Sequence, residues 1–326
     1  MKKVLICQPI HETGVKVLEG FDVKVAPDPS EATVIANLAG VEGVVVRTAP
    51  FTRAIMEAAP DLKVIARHGV GVDNIDIPAA TELGILVCNT PNANALSVAE
   101  HVIVAMGALA KRVLTMDRGT RKNNWEIRNE YKAFDLQGKT LGLVGLGRIG
   151  SLVAKKAMAA FDMNVVGYDP YLTPDKAATL GIRLAASVDE VLAAADVVSL
   201  HTPLTAETRG LLNKERLGRM KPGAYLINFS RGEVVVEADL VEALTNGTLA
   251  GAALDVYDPE PPQAENPLFA LDNVLLSPHS AALTKECVQR MATGAAEAVR
   301  DVLNGVTPEF IVNKGVKPRA DLRPRA

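Results

Sequence analysis

Three side chains able to do chemistry stand just beyond three apolar runs in the last third of the chain. They are Arg231 in NFSRGEVV (228–235), Glu260 in ALDVYDPEPP (253–262) and His279 in NVLLSPHSAAL (273–283). Each run reads as a buried strand, and ligands of open α/β sheets gather at the carboxyl ends of the strands. A guanidinium there can hold a carboxylate and polarise a neighbouring carbonyl. An imidazole can pass a proton to or from an alcohol oxygen, and a carboxylate behind it fixes its tautomer. Singly, each residue has an ordinary explanation: a strand-end salt bridge, a solvated loop acid, a capping or core histidine. Three at successive strand ends point to one catalytic set.

A nucleotide turn accompanies them. In GLVGLGRIG (142–150), Gly145, Gly147 and Gly150 satisfy GxGxxG between an apolar strand and a helix-like stretch. The first glycine makes the tight turn, the second lets backbone approach a pyrophosphate, and the third lets strand and helix pack closely. The free N–H groups at the helix start hold the phosphates. Asp169 ends the next strand, nineteen residues after Gly150. A carboxylate there accepts hydrogen bonds from the ribose hydroxyls and repels a 2′-phosphate, which favours NAD over NADP. Turn and strand-end residues together describe a hydride-transfer site for a 2-hydroxy or 2-oxo acid.

The elements that must position these groups alternate. Strands are expected at 3–7, 43–47, 63–67 and 85–89, then at 139–145, 164–169, 196–201, 224–229, 251–256 and 273–277, with helix-like stretches between most of them. Strands apolar throughout and alternating with helices imply parallel sheets covered on both faces. The chain is therefore α/β, with two doubly wound parallel-sheet domains. Long helices are expected over 94–117 and 283–304, forming a hinge region. The short piece after the second helix cannot fold alone. The reading is a Rossmann NAD-binding domain, 99–283, inserted in a discontinuous flavodoxin-like substrate domain, 1–98 and 284–326. The Pro- and Arg-containing tail, 313–326, is expected to be mobile.

Composition bounds the partners. The 326 residues carry a formal net charge of −3, which argues against nucleic acid or an anionic membrane as the main partner. Cys7, Cys88 and Cys287 are far apart, so neither a disulfide framework nor a thiolate metal site is expected, and a reducing cytoplasm fits. The start MKKVLICQPI reads as a first strand rather than a secretion signal, and no apolar run reaches membrane-spanning length.

The chain resembles the D-2-hydroxyacid dehydrogenases, most closely their 3-phosphoglycerate dehydrogenase branch. The resemblance rests on RHGVGVDNID (67–76), NTPNAN (89–94), VGLGRIG (144–150), GYDP (167–170), HTPLTAET (201–208), NFSRGEVV, GAALDVYDPEPP and PHSAALTKE (278–286), in order over nearly the whole chain. It implies that Arg231, Glu260 and His279 are catalytic and that Arg148, Ile149, Asp169, Thr202 and Asp255 touch NAD. It implies that backbone amides at Val70 and Gly71 take the substrate carboxylate, with Asn94 and Arg47 near the rest of the substrate. It also implies a homodimer, formed through the apolar helix near 98–112 and the arm around Trp125. An arginine near that arm reaches a neighbouring subunit's substrate in phosphoglycerate dehydrogenases, which makes Arg128 a candidate. Formate is disfavoured, because formate dehydrogenases carry glutamine in place of Glu260. Neither a regulatory domain after residue 326 nor serine feedback through one is expected, and PHSAAL departs from the more glycine-rich run of relatives. Glyoxylate/hydroxypyruvate reductase is the alternative enzyme, and an NADH-sensing corepressor is the alternative of another class. His68 could face substrate or pack; Arg47 could hold an anion or pair with an acid. His11, His101 and His201 are read as structural.

Overall fold

The computed structural model describes residues 1–130 and 133–325. The chain divides into two units, Met1–Asn94 with Ala282–Ala326, and Ala95–Ala281. The sequence reading set these junctions at 98/99 and 283/284.

The first unit opens with β1 (Lys3–Ile6), α1 (Glu12–Val17), β2 (Asp22–Val25), α2 (Glu31–Ala36), β3 (Val41–Val46), α3 (Arg53–Glu57), β4 (Val64–Arg67), α4 (Ile77–Glu82) and β5 (Leu86–Cys88). Its parallel sheet has the order β2-β1-β3-β4-β5. Side chains alternate across it: Leu5, Val44 and Ile65 enter one core, and Val4, Val45 and Val64 the other. Both faces are apolar because both are covered, as the continuous apolar runs required. Thr52 and Asp76 cap α3 and α4 by accepting from backbone N–H groups in the first turn.

The second unit begins with α5 (Ala95–Ala110), α6 (Val113–Arg121) and α7 (Ile127–Glu130). The single helix expected over 94–117 is thus two. Arg112 adopts φ +50° between them, a left-handed conformation that its residue type does not announce. There follow β6 (Thr140–Val144), α8 (Arg148–Phe161), β7 (Asn164–Tyr168), α9 (Pro174–Thr179), β8 (Arg183–Leu184), α10 (Val188–Ala194), β9 (Val197–Leu200), α11 (Lys214–Leu217), β10 (Ala224–Asn228), α12 (Glu237–Thr245), β11 (Leu249–Leu254) and β12 (Val274–Leu276). The sheet order is β12-β11-β10-β9-β6-β7-β8, parallel throughout. The winding reverses between β6 and β9, the place where such sheets leave a crevice for a ligand.

The last helix, α13 (Lys285–Leu303), returns to the first unit. Its Ala295, Val299 and Val302 pack on Val4, Val45, Val64 and Leu86. The tail is not the mobile segment expected. Asn313 is buried, accepts from Val87 N–H at 2.9 Å and donates to Ile85 C=O at 2.9 Å; Arg319 N–H donates to Gly84 C=O at 2.8 Å. The segment supplies hydrogen-bond partners along the otherwise open edge of β5, which its composition did not reveal. Ala326 lies outside the described residues. Among the described residues, no helix is long and apolar enough to cross a membrane.

Candidate active site

Strands β10, β11 and β12 are neighbours in register, so the residues that follow them share one sheet edge. Arg231 follows β10 in a turn closed by Asn228, whose Nδ2 donates to Arg231 C=O at 2.8 Å and whose Oδ1 accepts from Ser230. Gly232 must be glycine here, since a Cβ would come within 1.9 Å of Tyr257 C=O. Glu260 lies in the loop after β11; its Oε1 accepts from Tyr257 N–H at 3.0 Å. Its Oε2 stands 2.8 Å from His279 Nδ1. Burial pushes the Glu260 pKa up, but the His279 hydrogen bond and charge, the Tyr257 amide and the nearby Arg231 outweigh it and hold the carboxyl below its ordinary value. An ionised Glu260 accepts from Nδ1–H, so Nε2 of a neutral His279 is left as a proton acceptor. His279 itself sits at φ +50°, a strained conformation for a residue with a Cβ.

The glycine turn joins β6 to α8. Gly145 has φ +95°, and a Cβ there would meet His201 C=O at 2.6 Å; one on Gly150 would meet Gly145 C=O at 2.2 Å. Gly147 meets no protein atom, so its approach face is open. Gly147 is the N-cap of α8 and supplies no side-chain cap, so the first N–H groups, at Arg148, Ile149 and Gly150, keep their capacity for an anion. Asp169 stands at the end of β7, where its two oxygens accept from Leu146 N–H and Tyr171 N–H, at 2.8 and 2.9 Å. That ties the acid to the turn while leaving lone pairs for a ribose diol. Thr202 follows β9 across the crevice, and its Oγ1 is buried without a hydrogen-bond partner among the described residues. An open glycine, an uncapped helix start, a strand-end acid and an orphaned hydroxyl fit a dinucleotide.

In the first unit, Arg67 ends β4 and Arg47 follows the adjacent β3. Arg47 donates to Pro9 C=O at 3.0 Å, and its turn is pinned by Gln8, whose Oε1 accepts from Thr48 and Ala49 N–H. Loop 68–71 is held through its carbonyls: Thr90 N–H and Oγ1 donate to Gly69 C=O, and Asn89 Nδ2 to Val70 C=O. The Val70 and Gly71 amides donate to no group among the described residues, so two consecutive N–H groups are left for an anion. Asn94 Oδ1 is buried without a partner among the described residues. His68 is 4% exposed, and burial, followed by the charges of Arg47 and Arg67, pushes its pKa down to about 4. It is a neutral, packed imidazole.

The remaining histidines have structural surroundings. His11 caps α1, His101 packs edge-on against Phe229, and His201 lies against Ser199 Oγ with its pKa pushed down to about 4 by burial. Arg128 lies over the Trp125 ring, 5.6 Å from its centroid. Sequence reasoning missed Arg67, hidden at the end of an apolar run, and Tyr257, whose N–H holds Glu260 and whose phenol donates to Ser277 C=O after β12.

A doubly wound unit with a dinucleotide turn and a carboxylate-backed imidazole on the same sheet edge defines a nicotinamide-dependent oxidoreductase by class. The family model described as D-isomer specific 2-hydroxyacid dehydrogenase, NAD binding domain, matches residues 103–281. The chain belongs to the D-isomer specific 2-hydroxyacid dehydrogenase family, and its second unit is that family's NAD-binding domain. The D-3-phosphoglycerate dehydrogenase of Methanocaldococcus jannaschii is 41% identical over 324 residues, 99% of this chain and 61% of that protein. The chain thus spans about three-fifths of the length of the curated relatives it matches. The crystal structure of a Thermus thermophilus protein is similar at TM-score 0.87 and 39% identity, over 95% of this chain and 99% of that one. A glyoxylate reductase from Paecilomyes thermophila is similar at TM-score 0.87 and 30% identity, over 95% of this chain and 98% of that one.

Proposed function

We propose that the chain interconverts a D-2-hydroxy acid and its 2-oxo acid with NAD, and that the acid is phosphorylated, the pair being 3-phosphoglycerate and 3-phosphohydroxypyruvate. The observation that carries the reaction is the His279–Glu260 pair, 2.8 Å apart, beside Arg231 on the edge that also bears the glycine turn. Support for a phosphorylated acid comes from Arg47 and Arg67 at neighbouring strand ends beside the Val70 and Gly71 amides, and from the name of the relatives.

Arg231 holds the substrate carboxylate and polarises the C2 oxygen. His279 Nε2 takes the hydroxyl proton as the C2–H bond breaks, and Glu260 stabilises the imidazolium that forms. Bound NAD supplies the hydride acceptor. In the reverse direction the imidazolium returns its proton to the carbonyl oxygen. Gly145, Gly147, Arg148, Ile149 and Gly150 hold the pyrophosphate, Asp169 the ribose and Thr202 a further polar group of the cofactor. Arg47 and Asn94 contact the part of the substrate distal to C2.

A smaller acid is the second reading, favoured by the similarity to a glyoxylate reductase. An NADH-oxidation screen across 3-phosphohydroxypyruvate, hydroxypyruvate, glyoxylate and pyruvate separates the two. The phosphorylated acid is expected to lead in kcat/KM by at least about tenfold; a lead by glyoxylate or hydroxypyruvate would overturn that substrate assignment. We also infer a homodimer, because Val104 (70% exposed), Val113, Leu114 and Trp125 (66% exposed) leave large apolar groups in water on α5, α6 and the segment after it.

A further inference from the structure

We propose that Gln8 is a positioning residue that determines specificity: it acts through Arg47 and sets how well the chain takes a 2-oxo acid that carries a second anionic group. The inference rests on the reading of Arg47 as the side chain that meets the part of the substrate distal to C2.

Gln8 stands two residues beyond the end of β1, and β1 is the sheet neighbour of β3. The pairing continues past the strand, since Cys7 N–H donates to Val45 C=O at 2.9 Å. Gln8 therefore comes level with the turn that follows β3. Its Oε1 accepts from Thr48 N–H at 2.9 Å and from Ala49 N–H at 3.1 Å, and its Nε2 donates to Thr48 Oγ1 at 3.1 Å. One side chain thus satisfies both amides that follow Arg47. Ala49 is buried, so its N–H has little water to turn to if Gln8 is lost. The next residue, Pro9, supplies the carbonyl that accepts from Arg47 Nη1 at 3.0 Å. Backbone and guanidinium are held from one short segment.

Asn74 holds the turn from the other side. Its Nδ2 donates to Ala49 C=O at 2.7 Å and to Arg47 C=O at 3.3 Å, and its C=O accepts from Phe51 N–H at 2.7 Å. Asn74 lies in the loop between β4 and α4 that also carries the Val70 and Gly71 amides. The arginine for the far end of the substrate and the amides for its carboxylate thus belong to one hydrogen-bonded piece, which Gln8 closes at β1. Among the described residues the Arg47 guanidinium makes one hydrogen bond, to that neutral carbonyl, and pairs with no carboxylate. Most of its donors are left for an anion. A long side chain loses rotamer freedom when it grips a ligand, and one already held at base and head loses less. Gln8 therefore strengthens binding of an acid whose second anion reaches Arg47, and an acid without one gains nothing from it.

The test uses Gln8→Met, which keeps the length of the side chain and removes its acceptor and donor. Steady-state kinetics compare 3-phosphohydroxypyruvate with hydroxypyruvate, which lacks the second anion. KM for the phosphorylated acid should rise about fivefold or more, while its kcat and the KM for hydroxypyruvate stay within about twofold. In an Arg47→Ala background, Gln8→Met should change KM for the phosphorylated acid by less than about twofold, since the group it positions is gone. An equal rise for both acids, or an undiminished further rise in the Arg47→Ala background, would show a general packing role and overturn the inference. An unchanged KM in Gln8→Met, beside an Arg47→Ala variant that loses the phosphorylated acid selectively, would overturn it while leaving the reading of Arg47 intact. If Arg47→Ala affects both acids alike, or the unaltered chain does not turn over the phosphorylated acid, the reading of Arg47 falls and the inference falls with it.

Discussion

Glu260 lies in an exposed loop, yet its carboxyl is held below its ordinary value, and the way it is held so has consequences. Its pKa is lowered, so its contribution to folding is present above the ordinary carboxylate value and is lost as the pH falls through the lowered one. The same interactions make it the counter-charge for a protonated His279. Glu260→Gln keeps an acceptor for Nδ1–H but removes the charge, and kcat should fall by about 10²-fold or more with NADH binding intact. Steady-state kinetics with a parallel NADH titration checks this, and loss of cofactor affinity instead would assign Glu260 a different role. Asp169 makes a separate prediction. Replacing it with serine removes the charge that repels a 2′-phosphate, so the ratio of kcat/KM for NADH over NADPH should fall at least about tenfold. A ratio that does not move would place the ribose elsewhere.

At the scale of elements, much of the fold could be read from the sequence because both sheets are buried on both faces. Runs such as Val44–Val46 and Leu226–Ile227 are apolar without alternation and could be placed within a residue or two. The strands that escaped are β2 and β8, the edges of their sheets, where residues such as Val25 and Arg183 are exposed and no continuous apolar run survives. The break at Arg112 escaped because no glycine or proline marks it. The packed tail escaped because its anchor is polar: Asn313 serves backbone groups of β5 and its flank, a pattern of hydrogen bonds that hydrophobic periodicity does not record. Asn313→Ala should therefore destabilise the protein by about 2–3 kcal/mol, since buried backbone groups would be left unsatisfied. Urea unfolding measures this, and a change below about 0.5 kcal/mol would mean that the contact is dispensable. In the site, Arg231, Glu260 and His279 were legible because each follows an apolar run. The Tyr257 bonds to Glu260 and Ser277 were not, because they depend on which loop a strand end faces.

The whole molecule carries two histidines, the buried His68 and the part-buried His201, whose titration lowers its stability in acid. His68 and His201 are pushed from about 6.5 to about 4, His201 by burial and His68 by burial with the nearby arginines. The unfolded chain protonates these rings first. Their stabilising neutrality is thus fully present above about pH 6.5 and is lost as the pH falls toward about 4. Each shift corresponds to at most about 3–4 kcal/mol. Unfolding free energy should decline between pH 6.5 and 4.5, and His201→Asn should flatten part of that decline; identical slopes would remove His201 from the account. The exposed apolar groups on α5 and α6 predict a dimer by light scattering, which Val104→Glu should weaken.

The reaction itself is tested most directly by NADH oxidation with 3-phosphohydroxypyruvate, measured for the unaltered chain and for His279→Ala beside an NADH binding titration. The chain should turn the acid over, and His279→Ala should lose about three orders of magnitude in kcat while binding NADH as before. Turnover by His279→Ala within about tenfold of the unaltered chain would contradict the assignment of His279 as the base.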